Sequence, residues 1–192
     1  MNSQSNDRLS ARERLLAAAS ELFYQEGVHT VGIDRVIERA GVAKATLYSN
    51  FGSKDELIRA YLTERYEKWK ERMENRLVAY ETPRERLLGV FDLQGETFNG
   101  PGFRGCAFMN ASAEKQSGSA VEEVSDMYRA SVRTLFTELA QDAGAVYPEN
   151  LATQLVLLFD GATVAERMDR NPKITNTARE VATRLIDAAV SS

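Results

Sequence analysis

The stretch from Gly32 to Phe51 constrains this chain more than any other, because its apolar residues repeat with a helical period on both sides of one glycine. Ile33, Val36, Ile37 and Ala40 recur at i, i+3, i+4 and i+7, so a helix over about Ile33 to Ala40 carries them on one face. Gly41 follows directly, and glycine accepts positive φ because it has no Cβ. The next segment, about Ala43 to Asn50, sets Leu47 and Phe51 inward at i, i+4, and Gly52 ends it. Two short amphipathic helices joined by a tight turn form a helix-turn-helix, whose second helix enters the major groove of DNA.

The outward face of that second helix has the chemistry such a helix needs. Lys44, Ala45, Thr46, Tyr48, Ser49 and Asn50 combine one cation, small residues and hydrogen-bonding groups. Lysine donates to guanine acceptors, asparagine pairs with adenine, and threonine meets a thymine methyl. Tyr48 has a hydroxyl for a phosphate. Lys54 opens the following helix, where a cation and a helix N-terminus together attract phosphate. Arg35 and Arg39 lie on the outer side of the preceding helix and either touch phosphate or pair with Glu38 and Asp34. Arg8, Arg12 and Arg14 form a basic arm or have no role, the latter being the simpler reading, and His29 falls in a surface loop.

Helical periodicity continues to the C-terminus, with no convincing strand, and predicts an all-α chain of about nine helices. The first runs from about Ser10 to Glu26, with Ser10 and Glu13 in the capping-box pattern and Gly27 as its stop. Ser53 caps a long helix to about Tyr80, with Leu57, Ile58, Tyr61, Leu62, Tyr66, Trp69 and Met73 inward. Pro83 opens a helix to about Phe98, and Asn99-Gly100-Pro101-Gly102 is a strong loop signal. A short helix follows Cys106 to Met109, and Lys115 to Ser119 reads as a loop. Three more helices cover about Ala120 to Ala143, Glu149 to Arg170 and Asn176 to Ala189. The expected organisation is a flexible tail at 1–9, a DNA-binding domain at 10–54 and a helical regulatory and dimerisation domain at 55–192.

Composition narrows the class of molecule. The chain has 192 residues, 43% of them hydrophobic, which suffices for a sizeable helical core. Its net charge of −4 does not by itself favour nucleic acid, but what counts is whether one face is locally basic. No apolar run approaches the ~20 residues of a membrane span, and the polar start lacks a signal-peptide core, so a cytoplasmic location is expected. Cys106 is the one cysteine and His29 the one histidine. They fall in different expected domains, which argues against a nucleophile–base pair, and no set of metal ligands is present. An enzyme, a cofactor and a metal site are therefore not expected. Cys106, among Phe103, Phe108 and Met109, reads as a small buried hydrophobe, with an oxidation-sensitive thiol as the alternative.

The run Ala40-Gly41-Val42-Ala43-Lys44-Ala45-Thr46-Leu47-Tyr48-Ser49-Asn50-Phe51-Gly52-Ser53-Lys54-Asp55-Glu56-Leu57 resembles the signature of the TetR family. The likeness extends over about Ala11 to Leu62. It implies a three-helix DNA-binding domain, a larger helical domain with a pocket for a small-molecule effector, and a homodimer built through the eighth and ninth helices. It also implies a double-stranded DNA operator as partner, contacted by Lys44, Ala45, Thr46, Tyr48, Ser49, Asn50 and Lys54, with Gly32 and Arg35 beside them. Three positions depart from the family pattern. Ala43 stands where serine often caps the recognition helix, Asn50 where histidine is common, and Gly32 where serine or threonine often begins the preceding helix.

The resemblance further implies ligand-controlled repression, in which the effector releases the dimer from its operator. Residues for the pocket are Tyr66, Phe91, Phe98, Phe103, Cys106, Phe108, Met109, Met127, Tyr128 and Phe159, although the same residues equally make a filled core. Leu151, Leu155, Leu158, Phe159, Ala162 and Leu185 are the seam candidates. A DNA binder with no small ligand is the rival reading.

Overall fold

The computed structural model describes residues 9–113 and 119–190, and nine helices lie among them. The tail expected at 1–9 (save Leu9), Arg8 of the basic arm and loop residues 115–118 lie outside the described residues.

The N-terminal helices start and stop where local chemistry dictates. Helix α1 spans Ala11–Glu26. The Ser10 hydroxyl accepts from the Glu13 amide at 3.2 Å, and the Glu13 carboxylate accepts from the Ser10 amide at 2.7 Å. This reciprocal pair satisfies two of the orphan donors at the helix start. Helix α2 spans Ile33–Ala40 and α3 spans Lys44–Phe51. Between them Gly41 adopts φ +64°, its amide donates to the Glu38 carbonyl, and the Val42 amide donates to the Ile37 carbonyl. Those two bonds form the Schellman stop, which needs a left-handed residue at the glycine position. Helix α4, Lys54–Leu77, is capped by Ser53, whose hydroxyl accepts from the Glu56 amide at 3.1 Å.

Helix α5, Pro83–Phe98, repeats the capping box with Thr82 and Glu85 and carries proline in its first turn. Helices α6, Ala107–Ala113, α7, Ala120–Asp142, α8, Pro148–Asp169, and α9, Ile174–Val190, complete the chain. Every expected helix is present; eight have ends within three residues of those read from the sequence, and the short sixth begins at Ala107, inside the segment it was expected to follow.

The chain divides into two compact units, 1–66 with 107–126, and 67–106 with 127–192. The first is larger than the stretch 10–54. Leu57, Ile58, Tyr61 and Leu62, from the first half of α4, are buried together with Leu15, Ala19, Leu22 and Phe23 of α1 and Val36 and Leu47 of the helix-turn-helix. Tyr61 meets Phe23 edge-on at 5.7 Å between ring centroids. Helix α6 and the start of α7 join the same unit: Asp55 accepts from the Ala120 amide at 3.4 Å, and Arg59 pairs with Glu123 at 2.6 Å. The sequence pattern gives no sign of this pairing, because the residues are more than sixty apart.

In the second unit α5 lies against α8 and α9. Phe91, Phe136 and Phe159 form a three-ring cluster with centroids 5.9 to 6.3 Å apart. Leu87, Leu93, Leu155 and Ile186 are fully buried in the same unit. Gln94, a polar residue in this core, donates to the Phe159 carbonyl at 2.7 Å and the Thr163 hydroxyl at 2.9 Å, which meets the requirement that buried amides find partners.

Candidate nucleic-acid interface

Helix α3 has eight residues, too few for stability in isolation. It is held by Leu47 and Phe51, which are both buried, whereas Tyr48, the next residue after Leu47, is 45% exposed. Ala43 and Gly32 occupy the N-cap positions of α3 and α2 with extended backbone, and neither supplies a side-chain cap. Lys44, Ala45, Tyr48, Ser49 and Asn50 are exposed, and Thr46 is half-buried. Gly32 and Arg35 are exposed on α2's side of the motif, and Lys54 is half-buried.

Lys44, Ser49, Asn50 and Lys54 each have a local hydrogen-bond partner. The Ser49 hydroxyl and the Asn50 amide both donate to the Thr46 carbonyl, at 3.0 and 2.7 Å. Lys54 donates to the His29 carbonyl at 3.4 Å. Lys44 donates to Asp34 of α2 at 3.0 Å, and that hydrogen bond, followed by the carboxylate's charge, raises the lysine pKa above its ordinary value. Arg35 pairs with Glu26, and Arg39 with Glu21 at 2.7 Å. The two arginines therefore bond to carboxylates of α1 and not to Glu38 or Asp34, since α1 and α2 lie against each other. Arg12 stacks over the Phe51 ring at 5.0 Å and Arg14 donates to the Ala40 carbonyl at 3.3 Å, so both brace the motif from α1. The pairings of Lys44 with Asp34, Arg35 with Glu26 and Arg39 with Glu21 carried no sequence signal, because the partners lie nine to eighteen residues apart.

The ten expected effector residues divide between the units. Tyr66, Phe108 and Met109 belong to the first, and Phe91, Phe98, Phe103, Cys106, Met127, Tyr128 and Phe159 to the second. Tyr66, Phe91, Phe98, Phe108, Tyr128 and Phe159 are buried, and Phe103 and Met109 are half-buried. Met127 is 40% exposed. Phe98 meets Phe103 at 5.1 Å, and Trp69 meets Tyr128 edge-on at 5.2 Å. Cys106 is half-buried instead of fully buried, and it hydrogen-bonds with Tyr128. Burial, then the nearby Cys106 and Asp160, push the Tyr128 hydroxyl well above its ordinary pKa. An open cleft of about 450 Å³ lies in the first unit between α1, α3 and α4, lined by Arg12, Leu16, Phe51 and Arg59 among others and by none of the ten.

The seam candidates that the resemblance implied lie mostly inside the chain's own core. Leu151, Leu155, Phe159 and Ala162 are buried within the chain, and Leu158 and Leu185 are half-buried. The opposite side of α8 carries Leu157 at 69%, Val164 at 46% and Met168 at 75% exposure. The reason is helical register: residues one and two positions away point to the other side, and hydropathy cannot tell which apolar stripe meets the chain's own core.

No described helix is long and apolar enough to cross a membrane. The family model for bacterial regulatory proteins of the tetR family matches residues 15–61, from α1 to the middle of α4. A solved TetR-family transcriptional regulator from Streptomyces coelicolor is 32% identical, covers 94% of this chain and 96% of that one, and superposes with a TM-score of 0.89. A solved TetR-type regulator from Streptomyces avermitilis is 34% identical over 94% of this chain and 98% of that one, with a TM-score of 0.83. The HTH-type transcriptional activator FasR of Mycolicibacterium smegmatis is 51% identical over 51 residues, which is 27% of this chain and 23% of FasR, so the alignment spans about a quarter of that relative. Identity above 30% over nearly the whole of two solved regulators joins the helix-turn-helix geometry in one conclusion: this chain belongs to the TetR family of bacterial DNA-binding transcriptional regulators.

Proposed function

We propose that the chain is a homodimeric repressor that sets two α3 helices in successive major grooves of a roughly palindromic operator and leaves it when a small molecule binds the C-terminal domain. The observation that carries the DNA half is the split of α3 into a buried pair, Leu47 and Phe51, and an exposed row of Lys44, Ala45, Tyr48, Ser49 and Asn50. In this reading Lys44, Thr46 and Asn50 address bases, Tyr48, Ser49 and Lys54 address phosphate, and Gly32, Ala45 and Arg35 line the approach. Residues 10–54 form the DNA-binding domain and 55–192 the regulatory one.

Dimerisation is assigned to α8 and α9. The supporting feature is the unpartnered apolar stripe Leu157–Gly161–Val164–Met168, at i, i+4, i+7 and i+11, with Val181 exposed on α9. A Cβ at Gly161 would meet nothing within 4 Å, so the stripe has an open notch at its centre where a second helix can approach closely. The effector half is supported by the polar groups among the second unit's aromatic residues: Gln94, Thr163 and the Arg129–Asp160 pair, joined at 2.6 Å. A few placed polar groups in an apolar surround are what orients a small ligand. The effector acts by preferring a conformation in which the two α3 helices are wrongly spaced.

The test uses an operator selected from a random duplex library. Tyr48→Ala with Lys44→Ala abolishes operator binding and leaves helicity and dimer mass unchanged; intact binding by the double variant sinks the assignment. The 51% identity to a relative named an activator favours a second reading, in which the same operator contact raises transcription. Transcript levels beside the operator in a strain lacking the gene separate the two: they rise for a repressor and fall for an activator.

A further inference from the structure

Three cations of the helix-turn-helix face, Arg35, Arg39 and Lys44, are each held by a carboxylate of the same unit. Lys44 differs from the arginines in place, since it is the one cation of α3. Its partner Asp34 sits in the first turn of α2, with its side chain 81% exposed and its Oδ1 3.0 Å from the lysine nitrogen. A carboxylate so exposed is not fixed there by burial.

An ammonium group has three donors. Asp34 takes one and leaves two, which suits the adjacent O6 and N7 acceptors that guanine presents in the major groove. A phosphate is a different partner. It draws the ammonium toward the DNA backbone and away from Asp34, and it leaves that carboxylate uncompensated beside a dense row of like charge. The cost falls on any complex held through phosphate alone, and is escaped where Lys44 reaches a base while still bonded to Asp34.

We propose that Asp34 is a specificity-determining residue, competing with phosphate for Lys44 and so suppressing binding to duplex that lacks the operator sequence. The inference rests on the reading of Lys44 as a DNA contact. Asp34 touches no base in this scheme; it positions Lys44 and sets what leaving that position costs.

Fluorescence anisotropy on the full-length protein tests it, with the selected operator and a scrambled duplex of the same composition, between 50 and 200 mM salt, roughly the range over which phosphate contacts lose most of their affinity. Asp34→Asn keeps size and removes charge. It is expected to tighten scrambled-duplex binding about tenfold, to change operator binding less than about threefold, and to steepen the salt dependence on scrambled duplex by about one per protomer. Asp34→Glu restores discrimination. In a Lys44→Ala background Asp34→Asn changes nothing, which a purely structural role in α2 would not produce. Unchanged scrambled-duplex affinity and salt slope in Asp34→Asn overturn the proposal. The same gain in the Lys44→Ala background also overturns it, because Asp34 is then only a general negative charge. A Lys44→Ala protein with full operator affinity takes Lys44 off the DNA and removes the reading beneath the proposal, an outcome distinguishable from the other two.

Discussion

Leu47 and Tyr48 are neighbours in sequence with opposite tasks, and substituting each by alanine separates packing from recognition. Leu47 is fully buried and is one of two buried side chains that fasten α3. Replacing a buried leucine with alanine loses the transfer of its methyl groups and leaves a cavity, together costing 2–5 kcal/mol, and full burial on a short helix with no side-chain N-cap places this site at about 3 kcal/mol. That is roughly two powers of ten in the folded-to-unfolded ratio, against a total stability of about 5–15 kcal/mol, so the variant still folds at 25 °C. Tyr48 is 45% exposed and lies on the outward face, so its truncation is expected to change stability by less than about 0.5 kcal/mol. Urea unfolding followed by far-UV circular dichroism gives the two stabilities, and anisotropy on operator duplex gives the two affinities. Leu47→Ala is expected to unfold at lower urea and, while folded, to bind operator within about tenfold of the parent. Tyr48→Ala is expected to unfold with the parent and to lose binding. If Leu47→Ala costs less than about 1 kcal/mol, the burial argument for α3 fails; if Tyr48→Ala binds normally, the outward face is not the recognition face.

Three further outcomes follow from the geometry. A Cβ on Gly95 of α5 would overlap the Thr175 side chain at the start of α9, so Gly95→Ala is expected to cost about 1–3 kcal/mol by thermal melting, with Thr175→Ser relieving much of it. Leu157→Lys is expected to shift the protein from dimer to monomer by light scattering without loss of helicity, whereas Leu155→Ala, inside the core, lowers stability and leaves the mass unchanged. Acid lowers stability through the capping boxes. Hydrogen bonds from the Ser10 side chain and backbone hold Glu13 below its ordinary value of 4.5, and bonds from the Thr82 backbone and side chain do the same for Glu85. Folded-state values below the unfolded ones give stability that is present above about pH 4.5 and is lost as pH falls through the lowered values. A Glu13→Gln, Glu85→Gln protein therefore shows a flatter melting temperature below that pH than its parent.

The sequence by itself determined the helices and the recognition motif, because both are written in local chemistry. Ser10 with Glu13, Pro83, and the glycines at 27, 41 and 52 act within a turn of their own position, so the boundaries they set are legible without a fold. The inward pair Leu47 and Phe51 and the outward row around Tyr48 follow from a period of 3.6 alone. What only the tertiary structure decided concerns residues far apart in the chain. It gave Arg35 and Arg39 to α1 carboxylates and Lys44 to Asp34. It joined 107–126 to the N-terminal unit through Asp55 and Arg59. It turned Leu151 and Leu155 into core and left Leu157 and Met168 uncovered. Ion pairing and burial depend on which elements meet in space, and an amphipathic pattern records that a helix has a face without recording what that face will meet.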